Sequence, residues 1–146
     1  MTETLLYEVR RARGTEEMNA VLELRHEVFC LEQGVPEHEE LDGRDREALH
    51  LVAIGDEQLL GTCRLLIVGA SAQFSRLAVR EAARRRGIAT ALLAAADAES
   101  QAAGARRLVL HAQTYAQDLY LRAGYRPRGQ VFVEAGIEHI AMEKQL

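Results

Sequence analysis

The chain has 146 residues, 48% apolar and 27% charged, enough to close one hydrophobic core without disulfides or a structural metal. Its formal charge of −4 argues against a nucleic-acid-binding protein, and no window approaches the roughly 18 apolar residues of a membrane span. Cys30, Cys63 and the five scattered histidines stand in no metal-ligand spacing, so neither a zinc site nor a disulfide is expected. The N-terminus carries Glu3 and Glu8 and has no apolar stretch of signal-peptide length, which reads as a cytoplasmic protein.

Leu5 to Arg10 reads as a first strand, and Thr15 to Phe29 as a helix with Thr15 as its N-cap. The acidic stretch 32–45, EQGVPEHEELDGRD, has turn residues at Gly34, Pro36 and Gly43 and reads as an irregular loop or short helix. ALHLVAI (48–54) and LLGTCRLLIV (59–68) read as a hairpin across GDEQ, followed by a strand over 73–79. A helix is expected from about Arg84 to Ala103, stopped by Gly104. RLVLHAQ (107–113) is an apolar strand, and Thr114 with Gln117 forms a T-x-x-Q capping box for a short helix to Ala123. VFVEAGIEHIAM (131–142) reads as a hairpin turning at Ala135-Gly136. The order β α (α) β β β α β α β β implies one α/β domain over 1–146. It has a mixed, mostly antiparallel sheet with a central parallel, right-handed βαβ unit and helices on its faces.

All but one of the 18 basic residues are arginine, Lys144 being the exception, so clustered arginine is weak evidence by itself. The position of the cluster Arg84-Arg85-Arg86 is more informative. A helix start offers unpaired N–H groups and a partial positive charge, Gly87 admits a bulky anion, and the arginines add charge, a combination suited to a phosphate or pyrophosphate. It is neither a Walker A loop nor a GxGxxG fingerprint.

LAVREAARRRGIATALL (77–93) resembles the acetyl-CoA signature of the GNAT superfamily of N-acetyltransferases, a strand, then [Q/R]-x-x-G-x-[G/A], then a helix. QTYAQDLYLRAGY (113–125) matches a second family pattern, N-x-x-A-x-x-[FY]-Y-x-x-x-G-[FY], with Gln113 in place of asparagine and Leu119 in place of an aromatic. LRHEVFCLEQGVPEHEELDGRD and EAGIEHIAMEK are similar to the ElaA-like branch. The resemblance implies that acetyl-CoA, as co-substrate and without a metal, lies in a V-shaped opening between the two parallel strands. Its pyrophosphate would meet Arg84 and the backbone N–H groups of Arg85, Arg86, Gly87, Ile88, Ala89 and Thr90. Its pantetheine arm would pair with the main chain of Leu77, Ala78 and Val79, beside Gln113 and Tyr120.

The implied reaction is direct attack of a small-molecule primary amine on the acetyl thioester in a ternary complex. A backbone N–H near Leu77 is suited to the oxyanion. Tyr120 matches the family position of the general acid, the alternative being a core aromatic. The base is open. His139 shares a strand face with Ile137 and Ala141, and a histidine at the matching place serves as base in some small-acid N-acetyltransferases of the superfamily. Glu27, Glu39, Glu40, Asp42 and a water chain are its rivals, and a structural histidine is the plainer reading. Substrate signals conflict. Glu37, Glu39, Glu40 and Asp42 suit a cationic amine or are merely solvated, whereas Arg25 and Arg76 suit a substrate carboxylate or are ion-paired. His26, His50 and His111 read as structural. A homodimer is compatible with the sequence, and neither nucleic acid nor membrane is expected as a partner. The competing functions are a non-catalytic acyl-CoA-binding regulatory module and an acyltransferase that uses another donor, such as acyl carrier protein.

Overall fold

The computed structural model describes residues 6–146, so the expected strand residue Leu5 lies outside them. β1 (Glu8–Arg11) leads into α1 (Gly14–Arg25), which continues as a π-helical segment, His26–Glu32. A single turn, α2 (Glu37–Glu40), and a 3₁₀ turn, Asp45–Glu47, precede β2 (Leu49–Gly55), β3 (Gln58–Val68) and β4 (Ser71–Val79). α3 (Ile88–Ala102), β5 (Arg107–Gln113), α4 (Gln117–Arg122), β6 (Arg126–Glu134) and β7 (Ile137–Gln145) complete the chain. The strands form one sheet in the order β1-β2-β3-β4-β5-β7-β6, parallel between β4 and β5 and antiparallel at every other pairing. Among the described residues, no helix is long and apolar enough to cross a membrane.

Both flanking hairpins use two-residue turns with positive φ at each central position: Asp56 and Glu57 between β2 and β3, Ala135 and Gly136 between β6 and β7. That is the type I′ geometry whose twist matches the strands it joins. The helices then divide between the faces. α1 and the segment after it bury Val21, Leu24 and Val28 against Val52, Leu59 and Ala78. α3 and α4 bury Leu92, Leu93, Ala96 and Tyr120 against Leu51, Leu65, Phe74, Leu108 and Leu110 on the other face. Gly61 lets α3 sit close to β3, since a Cβ there would lie 2.9 Å from Cγ2 of Ile88 and 3.2 Å from Cδ1 of Leu92.

Two features of β4 open the centre of the sheet. Thr62 pairs with Ala78 and Arg64 with Ser75, so Arg76 and Leu77 together stand opposite Cys63. This is a β-bulge, with Arg76 at φ +56. The extra residue reverses the facing of the strand: Ala72 and Phe74 belong to the α3 core, whereas Ala78 belongs to the α1 core. In addition, β4 and β5 pair only from Ser71–Gln73 to Arg107–Val109. Past these three register pairs the parallel strands separate.

Three local expectations change. Helix α3 starts at Ile88 rather than Arg84, because Arg84 is extended and Arg85 (φ +64) and Gly87 (φ +82) are left-handed, which an L-residue helix does not accommodate. Thr15 is not the N-cap of α1. The cap is Arg13, whose backbone N–H donates to Glu17 at 2.6 Å. The Thr114–Gln117 capping box is not formed, since Thr114 begins a 3₁₀ turn and no side chain caps α4.

Candidate functional site

The acidic stretch 32–45 is bound to the sheet by three arginines. Arg25 donates two hydrogen bonds to Glu40, at 2.8 and 2.6 Å, and a third to Asp45 at 2.8 Å. Arg64 donates to both oxygens of Asp42, at 2.8 and 2.7 Å, and reaches Asp45 at 3.1 Å. Arg76 donates to the Glu40 carboxylate and carbonyl, each at 3.0 Å, and to Asp42 at 3.3 Å. Three cations therefore meet three carboxylates. The Arg64 guanidinium holds the Asp42 carboxyl well below the usual range; at Asp45 burial opposes ionisation, but hydrogen bonds from Arg25 and Arg64 outweigh it and lower that carboxyl too.

Arg25, expected as a substrate clamp, is instead only 1% exposed and fully occupied by Glu40 and Asp45, so it is a structural cation. Arg76 borders the central cavity, but its donors are turned to the loop. Glu40 and Asp42, taken as amine ligands or bases, are tied up in the same pairs. Of the acids first considered, Glu37 and Glu39 remain exposed, and Glu39 lines the cavity.

The start of α3 is bare. Gly87 is its left-handed N-cap, no side chain among the described residues caps it, its first turn holds no acid, and the first helical bond runs from Ala91 N–H to Gly87 O at 3.0 Å. The N–H groups of Ile88, Ala89 and Thr90 therefore lack helical partners. A Cβ on Gly87 would meet nothing within 4 Å, so the space beside it is open. The three arginines are not equivalent. Arg84 pairs with Glu32 at 2.8 Å and donates to the Val79 carbonyl at 2.9 Å. Arg85 and Arg86 are exposed and make no ion pair among the described residues. On β4, Arg80 N–H donates to Leu60 O at 2.8 Å, which by alternation turns the backbone groups of Ala78 toward β3 and those of Leu77 and Val79 toward the gap.

Where β4 and β5 part lies a cavity of about 550 Å³, bordered by Phe29, Leu77, Gln113, Tyr120, Glu134 and His139 among others. Tyr120 comes from α4 on the α3 side, its ring edge-on to Phe74 and Tyr125. Burial, with smaller contributions from Cys63 and Tyr115, pushes its hydroxyl well above the usual phenol range. His139 comes from β7 on the opposite face. It is 7% exposed, and its Nδ1 lies 2.7 Å from the Ile137 carbonyl. A carbonyl only accepts, so Nδ1 carries the proton and Nε2 keeps its lone pair in the neutral ring. Gln113 donates to Gln33 at 2.9 Å and accepts from Tyr115. The site thus joins Leu77, Gln113, Tyr120 and His139 around one cavity, with the α3 start outside its lining.

Sequence reasoning missed Arg64, Asp45 and Glu134. Arg64 was visible as the lone charge in the apolar run LLGTCRLLIV, a position that demands a partner. Glu134 had the weaker signal of standing directly before the Ala135-Gly136 turn, which folds it back toward His139.

A family model described as an acetyltransferase (GNAT) domain matches residues 13–146. YjcF of Bacillus subtilis, named as an uncharacterised N-acetyltransferase, is 31% identical over 134 residues, which span 91% of this chain and 96% of that one. The crystal structure of an acyl-CoA N-acyltransferase from Pseudomonas aeruginosa is 32% identical with a TM-score of 0.82, covering 96% of this chain and 99% of that one. The Escherichia coli ElaA structure is 24% identical with a TM-score of 0.83 and coverages of 96% and 99%, a likeness of fold.

Proposed function

Because the chain belongs to the GNAT acetyltransferase family, we propose that it is an acetyl-CoA-dependent N-acetyltransferase that moves the acetyl group to a small-molecule primary amine by direct attack in a ternary complex. The observation that carries this reading is the gap between β4 and β5, with Tyr120 and His139 on opposite sides of one cavity of about 550 Å³. The donor fits the features beside it. The uncapped α3 start, the open space at Gly87 and the unengaged Arg85 and Arg86 suit a pyrophosphate, and the gap-facing backbone of Leu77 and Val79 suits an amide-bearing arm. Ala78 has its backbone committed to β3, and the Val79 carbonyl is taken by Arg84, which leaves the Leu77 main chain and the Val79 N–H as the free partners.

When bound, acetyl-CoA supplies an activated acyl carbon. The chain's own groups then divide the work. The Leu77 N–H, facing the gap, is suited to the oxyanion. His139 Nε2 takes a proton from the ammonium form of the amine, which has a pKa near 10.4 and arrives mostly charged. Tyr120 holds its proton throughout the working pH range and can release it only to a strong base. A thiolate whose acid has a pKa near 8.5 in water qualifies only when the same dry cavity raises its basicity too. The arginines that border the cavity, Arg44, Arg64 and Arg76, are each paired with a carboxylate, which favours an amine over a carboxylate-bearing acceptor.

Initial-velocity measurements of thiol release over a panel of primary amines test the reading. Direct attack requires both substrates and gives intersecting reciprocal plots. A burst of thiol in the absence of amine would replace it with an acetyl-enzyme route.

A further inference from the structure

We infer that Glu134 and His111 form a proton exit for His139, a relay from the buried imidazole to solvent. The inference rests on the proposed role of His139 as base and adds two groups that the reaction would use. All three side chains share one face of the sheet. His111 and Gln113 alternate on β5, Ile137 and His139 on β7, and Phe132 and Glu134 on β6, with Gln113 in register with His139 and Glu134 in register with Ile137. The type I′ turn at Ala135-Gly136 closes the hairpin between Glu134 and His139.

The distances order the three groups. Glu134 Oε2 lies 3.8 Å from His139 Nε2, and Glu134 Oε1 lies 3.1 Å from His111 Nδ1. Phe132 stacks on the His139 ring at 6.0 Å and meets His111 edge-on at 5.0 Å, fixing both imidazoles beside the carboxylate. Side-chain exposure is 9% at His139 against 50% at Glu134 and 43% at His111, so the two outer groups both reach solvent. The Nδ1 proton of His139 is committed to the Ile137 carbonyl, so Nε2, the nitrogen that takes the substrate proton, is also the one that faces Glu134. The other charged or titratable groups bordering this cavity are Glu39, Glu40, Asp42, Arg44, Arg64, Arg76 and Tyr120, of which Glu40, Asp42, Arg64 and Arg76 are mutually paired.

The steps balance without a further reactant. An ammonium gives one proton to His139 Nε2, leaving the neutral amine and an imidazolium that the Glu134 carboxylate stabilises. That proton crosses to Glu134 through one bridging water, because 3.8 Å is beyond direct hydrogen-bond reach, and leaves Glu134 for solvent while His111 holds the other carboxylate oxygen in place, so that His139 and Glu134 return to their starting states. At 7% exposure His139 meets bulk solvent poorly, and a half-exposed carboxylate beside its Nε2 shortens the path of the proton outward.

The test uses the whole chain with acetyl-CoA and two probe amines, phenethylamine and putrescine, in wild type, Glu134→Gln and Glu134→Ala. Glu134→Gln keeps the shape of an exposed side chain, and thermal melts establish that each variant is folded. The expected result is a kcat loss of about tenfold, a fraction of the 10²–10⁴-fold carried by a general acid–base pair, with both KM values unchanged. Loss of the negative charge moves the acidic limb of the pH–rate profile to lower pH, and formate or imidazole buffer restores turnover of Glu134→Ala. Nitrogen-resolved NMR of His139 supplies a readout that needs no acceptor: its titration midpoint moves to lower pH in Glu134→Gln. An unshifted His139 titration, or a Glu134→Ala variant that keeps the wild-type pH profile and shows no buffer effect, overturns the relay. If neither amine is acetylated by wild type, it is the transfer to these amines that fails, and the NMR titration still decides the coupling.

Discussion

Replacing Glu40 by glutamine tests whether the arginine–carboxylate network holds the acidic loop. Glu40 is 3% exposed and Arg25 1%. The wild-type carboxylate accepts two hydrogen bonds from Arg25, at 2.8 and 2.6 Å, and one from Arg76 at 3.0 Å. Glutamine keeps the volume but turns one acceptor into an amide donor facing guanidinium donors, and it removes the charge. Breaking one partner out of a buried ion pair costs about 3–5 kcal/mol. Asp45 stays 2.8 Å from Arg25 and compensates in part, so the lower end, about 3 kcal/mol, is expected. In a domain of this size that corresponds to a Tm lower by roughly 6–12 °C. Urea unfolding at constant m-value and scanning calorimetry measure it. Glu47→Gln is the internal reference. Its pair with Arg44 is 57% and 46% exposed, and its loss should change stability by at most about 1 kcal/mol. Equal small losses in the two variants would refute the network as the anchor of the loop.

Gly87→Glu places bulk and negative charge in the open space at the α3 start, and acetyl-CoA affinity should fall at least tenfold, about 1.4 kcal/mol, by calorimetry on the folded variant. Arg85→Ala and Arg86→Ala should weaken donor binding by about 1.5–3 kcal/mol wherever the arginine meets a phosphate, with dephospho-coenzyme A identifying the one that reaches the 3′-phosphate. Arg84→Ala, whose guanidinium is already held by Glu32 and the Val79 carbonyl, should have the smaller effect, and three equal losses would contradict this division. Tyr120→Phe removes only the hydroxyl and should lower kcat by about 10²-fold with donor affinity unchanged, a drop that steady-state kinetics with an accepted amine would reveal. Asp42 and Asp45 have folded-state pKa values below their unfolded value of about 3.9, so their contribution is complete above that pH and disappears as pH falls through the lower folded values. Urea midpoints should therefore drop below about pH 4, and Asp42→Asn should flatten that acid limb.

The sheet and its helices were legible because their signals are local. Alternating apolar runs marked the strands, Gly104 stopped α3 where expected, and Ala135-Gly136 turned the last hairpin. What escaped was set by long-range partners. Nothing near Arg76 in sequence announces that it adopts a left-handed φ and bulges β4, because the requirement comes from strand pairing with β3. Arg25 looked like a ligand for an anion, yet its anions are Glu40 and Asp45, fifteen and twenty residues away. The helix start was misjudged for a different reason. RRR has good helical propensity, but a left-handed Arg85 and Gly87 lift it off the helix, leaving Arg85 and Arg86 exposed. Tyr120 and His139 could be singled out as residues, but their arrangement on opposite faces of one gap depends on β4 and β5 separating after three register pairs.

The central claim is that this cavity transfers acetyl from coenzyme A to an amine. The most direct measurement is to incubate the protein with acetyl-CoA labelled with ¹³C in the acetyl group and a panel of primary amines, and to quantify free thiol and labelled N-acetyl product together by mass spectrometry and NMR. The account predicts the two in equal amounts, dependent on both substrates and reduced in Tyr120→Phe. Acetyl-CoA that binds the protein yet keeps its acetyl group against every amine would contradict it, and would identify a binding module in place of an enzyme.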